Sequence, residues 1–134
     1  MEYPEVVDII KVGAYDNIAF AGAGFFYDEV LEYRVWCYPS QGAKDVFEGD
    51  DYFYPFENFN QAFTFANQEK GRQEPIALIK QYEWINEIEE GKYIHERGAR
   101  IAEWNALDLK GRKRQKESIV NKLKELTRSQ PPTA

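Results

Sequence analysis

Residues 74–109, EPIALIKQYEWINEIEEGKYIHERGARIAEWNALDL, constrain the fold more than any other stretch, because they read as two strands folded back on each other. Pro75 opens the first strand, where a missing backbone N–H does least harm. Ile76, Leu78, Tyr82, Trp84 and Ile88 then recur at spacings of two, so pleating puts them on one face, with Lys80 and Asn86 interrupting the alternation. Ala77, Ile79, Gln81, Glu83, Ile85 and Glu87 take the other face. The strand is apolar on both sides at its start and wet at its end, which describes a strand that begins beneath a helix and runs out into solvent. Glu89–Lys92 is the expected turn, with Gly91 free to adopt a positive φ. The return strand reads as short, from Tyr93 to about Glu96. Gly98 breaks it as a bulge or second bend, and Arg100–Trp104 resumes it with Ala102 and Trp104 opposite Ile101 and Glu103.

A second strand spans Val30–Tyr38, where β-branched and aromatic residues are dense. Tyr33, Val35 and Cys37 share one of its faces; Arg34, Trp36 and Tyr38 share the other. Pro39–Gly42 ends it in a turn. Tyr52–Phe56 reads as a brief strand paired to it across the acidic loop Asp45–Asp51. Phe59, Ala62, Phe63 and Ala66 repeat at three and four, the apolar face of a helix capped near Asn58 and ended by Gly71. A basic linker, Lys110–Arg114, leads to a last helix over 115–128 marked by Ile119, Val120, Leu123 and Leu126. Residues 1–12 fit a short helix or a strand equally well. Gly22-Ala23-Gly24 lacks the third glycine and the Gly-Lys-Ser/Thr of a phosphate cradle, and reads as a loop or a bend where backbones approach closely. The expected fold is α+β: a mainly antiparallel sheet of four or five strands with two amphipathic helices packed mostly on one face. A single domain covers 1–128, and 129–134 form a frayed C-terminal tail.

The side-chain inventory removes most chemistry. Cys37 is the sole cysteine and His95 the sole histidine, so no internal disulfide and no zinc cluster are available. That usage suits a reducing cytoplasm. No apolar run approaches a membrane span, and the acidic start is unlike a signal peptide. The loop 45–51 lacks the alternating oxygen ligands of a calcium site. Cys37 sits among strand aromatics with nothing to lower its pKa, and no pair of carboxylates stands in an apolar setting. No catalytic residue, metal or cofactor is therefore assigned. The net charge is −6, yet residues 110–128 hold eight Lys/Arg against two Glu. The acidic remainder argues against nucleic acid and for a basic partner. Trp36, Tyr38, Tyr82, Trp84 and Trp104 can tile one concave sheet face, with Arg34, Arg97 and Arg100 beside it. Arg34, Trp36, Tyr38, Trp84, His95, Arg100 and Trp104 are accordingly the candidate contacts, for a protein or a small planar ligand, and a homodimer is compatible with them.

The order of several segments resembles a short bacterial family without assigned function, whose members are often labelled GNAT-type N-acetyltransferases. The matching pieces are Tyr33-Arg34-Val35-Trp36, Tyr54-Pro55-Phe56 with its helix, Glu74–Ile79, Tyr82–Glu87, Gly91–His95 and Ala102-Glu103-Trp104. They cover about residues 33–116, and no functional residues carry over. The label implies acetyl-CoA held by Arg/Gln-x-x-Gly-x-Gly/Ala at a strand-to-helix turn. Gln68–Gln73 comes nearest, but Gln73 stands where Gly or Ala is required and the stretch follows a helix. The expected function is a non-catalytic binding or interaction protein of regulatory or toxin-neutralising type. The alternative is a GNAT-like acyltransferase using acetyl-CoA. Millimolar acetyl-CoA should leave the thermal unfolding midpoint unchanged. A true ligand at a hundredfold excess over its dissociation constant adds about 2.7 kcal/mol, and a rise of that size would select the alternative.

Overall fold

The computed structural model describes residues 3–17, 19–21 and 24–128. In chain order these form β1 (Phe20–Ala21), β2 (Glu29–Cys37), β3 (Tyr52–Phe56), α1 (Phe59–Ala66), β4 (Ile76–Glu89), β5 (Lys92–Asn105) and α2 (Ser118–Arg128). Short 3-10 turns at Ile9–Lys11, Pro39–Gln41 and Ala106–Leu109 punctuate them. The strands make one five-stranded sheet in the order β1-β5-β4-β2-β3. β2, β3, β4 and β5 pair antiparallel, and only β1 runs parallel to its neighbour β5. The fold is α+β, as the sequence led us to expect.

The β4–β5 hairpin forms where expected, closed at Glu89↔Lys92 with Gly91 at φ 79°. The return strand is not short, however. β5 runs unbroken to Asn105, because a bulge absorbs the glycine: Arg97 to Arg100 on β5 span only Glu83 to Gln81 on β4. Gly98 takes φ 149° there, against the ring of Trp84. A bulged strand keeps its pairing on both sides, which a simple alternation of polar and apolar residues does not reveal.

A second bulge, in β2, decides which residues are core. Val30 pairs with Ile79 and Glu32 with Leu78, so Leu31 is the extra residue. Val30 thereby joins the face of Tyr33 and Val35, while Glu32 shares the face of Arg34 by ordinary alternation. The first face carries Tyr33, Val35, Ala77, Ile79, Ala102 and Trp104, packed with Phe59 and Ala62 of α1 and with Ala106 and Leu109. α1 starts at the Asn58 cap, whose side chain accepts from Gln61 N, and ends at Asn67 rather than at Gly71. Such a cap is worth about 1 kcal/mol. Gly71 serves a different purpose: at φ 80°, a Cβ there would lie 2.2 Å from Ala43 N. Phe63, expected on the apolar face of α1, is 51% exposed. α2 begins at Ser118 and buries Ile119.

The opposite face is held by charge. Arg34 is fully buried, with Nε donating to Glu32 Oε2 (2.6 Å), Nη1 to Glu103 Oε2 (3.0 Å) and Nη2 to the Asp16 carbonyl (2.5 Å). Glu32 Oε1 accepts from Gly13 N at 2.9 Å. The ion pair therefore clasps residues 13–17 across this face on their way to β1 at the far edge. Of Gly22-Ala23-Gly24, only Gly24 lies within the described residues; a Cβ on it would meet Trp84 Cβ at 2.7 Å, the close backbone approach of a tight bend. Residues 129–134, expected as a frayed tail, also lie outside the described residues.

Arg34→Ala leaves the Glu32 carboxylate buried without its cation, a loss that typically costs about 3–5 kcal/mol. Urea unfolding should report a destabilisation of that order. Amide exchange should speed up first at Gly13, whose N–H depends on Glu32.

Candidate binding surface

The seven candidate residues do not form one face. Trp104 is 4% exposed and lies in the helix-side core, edge-on to Tyr27 at 5.9 Å. Arg34 and Trp36 lie on the opposite face, where Trp36 Nε1 donates to Glu103 Oε2 at 3.0 Å. Tyr38 donates to Gln73 Oε1. Trp84 is buried with the Arg100 guanidinium 4.4 Å above its ring, and Arg100 Nε donates to Gln81 Oε1 at 2.7 Å. The arginine planes expected beside a planar ligand are thus stacked on the protein's own rings: Arg34 covers Phe53 at 4.1 Å, as Arg100 covers Trp84. Alternation along each strand was read correctly, but the register between strands sets Trp104 with Tyr33 and Ala77 rather than with Trp36.

His95 belongs to a charged cluster at the root of the hairpin arm. Its Nε2 lies 2.9 Å from Glu83 Oε1, while Arg114 Nη1 meets Glu83 Oε2 at 2.6 Å and Arg114 Nε meets Asp28 Oδ1 at 2.5 Å. Arg112 and Arg114 also exchange backbone hydrogen bonds with Tyr27, and the Lys113 ammonium donates to the Asp28 carbonyl. The basic linker is therefore stitched down beside β4, a fixing role for His95 and its neighbours. Cys37 is buried in β2, and burial pushes its thiol up despite Arg72 nearby. A thiol so held is a poor nucleophile at neutral pH.

What the fold leaves open is its β3 edge. Tyr52, Tyr54 and Phe56 share the helix-side face of β3, and rings follow one another from Phe47 to Tyr52 (5.5 Å), Tyr54 (5.7 Å), Phe65 (5.2 Å) and Phe56 (5.2 Å). Phe47 and Tyr54 are 55% and 43% exposed. Arg72 caps Phe65 from 3.6 Å, whereas among the described residues no cation lies over the rings of Phe47, Tyr52 or Tyr54. Residues 45–69 contain six Asp/Glu and no Lys or Arg, a long stretch without a single cationic side chain. Asp45, Glu48, Asp50, Asp51, Glu57 and Glu69 are all exposed. A shallow cleft of about 120 Å³ adjoins it, floored by Phe59, Ala66 and Pro75 and flanked by the exposed Phe63 and Leu107.

Pro55 tunes this edge. It stands opposite Arg34 and has no N–H to give β2, so its nitrogen faces outward and the free edge lacks a donor there. Strand addition is thereby blunted, and recognition falls to side chains. In the sequence, the acidic loop and the aromatics stand as separate local patterns. The absence of Lys and Arg from 45–69 was the signal that joins them.

The chain matches no known protein family, no characterised protein and no solved structure at a significant level. Among the described residues there is no group of three or more His, Cys, Asp or Glu arranged for a metal, and no helix long and apolar enough to cross a membrane.

Glu83 supplies a pH test of the stitched linker. Burial works against its charge, but Arg114, Arg97 and His95 together outweigh it and hold its carboxyl below the ordinary 4.5. A depressed carboxyl stabilises the fold above its unfolded pKa and loses that contribution as pH falls through the folded one. Between about pH 6 and about pH 3, Glu83→Gln should therefore lose less of its melting temperature than the wild type. An equal loss would remove Glu83 as a source of the acid sensitivity.

Proposed function

We propose that this is a non-catalytic binding protein of regulatory or toxin-neutralising type, which meets a basic protein surface with its β3–α1 edge. The observation that carries the reading is the run of partly exposed rings, Phe47–Tyr52–Tyr54, within a stretch of chain that holds only acidic charge. Exposed aromatics supply most of the contact energy in protein interfaces, and a rim of one charge sign steers the partner in and sets specificity. An acidic body and a basic target attract at long range. A single buried thiol fits a reducing cytoplasm. The acyltransferase alternative draws less support: Gln68–Gln73 follows α1 and leads towards β4, so its N–H groups do not crown a helix as an acetyl-CoA pyrophosphate requires.

The test is affinity capture from the cells of origin, followed by calorimetry on the partner retained. Tyr54→Ala should weaken binding by about 2 kcal/mol, roughly thirtyfold. Asp50→Lys with Asp51→Lys should weaken it further and flatten its salt dependence. Lys124→Glu, on α2, should bind as the wild type does. If the edge variants bind as tightly as the wild type, the edge is not the contact.

A further inference from the structure

The acidic edge has a counterpart on the same chain. Residues 110–128 carry eight Lys/Arg against two Glu, and much of that charge lies on α2 and the linker before it. The outward side of α2 is not purely polar. Val120 is 42% exposed, and with Leu123 and Thr127 it lines an apolar hollow bordered by Lys124 and Arg128. An apolar strip flanked by cations thus stands on one element, and an aromatic strip flanked by carboxylates on another. α2 packs on β4 and β5, whereas the acidic edge is built on β3 and α1 beyond β2. One chain cannot bring its own two surfaces together.

We propose that they meet between copies: α2 of one molecule docks against the β3–α1 edge of a second. Val120 and Leu123 would cover Phe47 and Tyr54, with Lys124 and Arg128 among Asp45, Asp50 and Asp51. Charge complementarity favours this occupant, since α2 holds three Lys/Arg against one Glu and the edge holds carboxylates with no Lys or Arg. The contact is between unlike surfaces, so it closes as a two-fold pair if each edge receives the other's helix and otherwise runs on head to tail. The inference rests on the edge being a binding surface, and a foreign basic protein is its competitor there.

Sedimentation velocity on the purified full chain tests it, at about 20 mM and about 500 mM salt, from about 10 to about 500 µM protein. The mean mass should climb above 15.7 kDa with concentration at low salt and fall back to it at high salt. Lys124→Glu with Arg128→Glu, both at exposed positions, should remain monomeric throughout, as should Asp50→Lys with Asp51→Lys. An equimolar mixture of the two variants should associate again, because one supplies an intact edge and the other an intact helix. A wild type that stays monomeric at the highest concentration in low salt overturns the inference, as does association that the α2 variant leaves intact. Failure here is separable from failure of the proposed function. The α2 variant retains the acidic edge and still captures the foreign partner if that reading holds.

Discussion

The buried Arg34–Glu32 pair is the contact on which the remaining architecture leans. Two charges out of water at 2.6 Å persist only when their other hydrogen-bonding positions are filled. Here Glu103, the Asp16 carbonyl and Gly13 N fill them. Those partners come from β5 and from the segment ahead of β1, so one side chain from β2 ties together the centre of the sheet, its far strand and the strap across its second face. Glu32 and Arg34 share this face by alternation, while the bulge at Leu31 moves Val30 to the helix-side core. Without the bulge, Val30 would lie with Glu32 and Arg34 on the strap side. An apolar pair of the same volume would fill the space between the layers, but it would not fix where residues 13–17 cross.

With that face sealed by the strap and the other by helices, the sheet has little surface left for recognition. Arg34 and Arg100, which the sequence offered as ligand contacts, are instead stacked on Phe53 and Trp84 and bonded to neighbouring polar groups. The edges are what remain. β5 is covered in part by β1, while β3 stays open and is protected from strand addition by Pro55. An open edge that carries rings and carboxylates instead of Lys is an unusual way to blunt a sheet. It separates solubility, which charge supplies, from stickiness, which the rings retain.

How far the candidate surface was legible follows from the range of the forces involved. Asp45–Asp51 and Tyr52–Phe56 were each visible as local patterns, loop and strand. Their union into a ring ladder needed Phe65 of α1 to pack beside Tyr54, a contact made across sequence by the antiparallel pairing of β2 with β3. Trp104 fails as a surface residue for the converse reason. Its alternation with Glu103 was right, but only the pairing Ala77↔Trp104 says that its face is the one α1 covers.

Local chemistry in the chain by itself determined the hairpin, its Gly91 turn, the Asn58 cap, the aromatic strand that forms as β2 and, with one cysteine, the lack of an internal disulfide. Each depends on residues a few positions apart, where pleat, φ preference and side-chain type act directly. The tertiary structure alone decided that Gly98 bulges rather than bends the chain away, that a bulge at Leu31 brings Val30 into the core, and that Arg34 faces a strap instead of a ligand. Those outcomes depend on register and on which segment arrives to satisfy a buried charge, and both are set by partners distant in sequence.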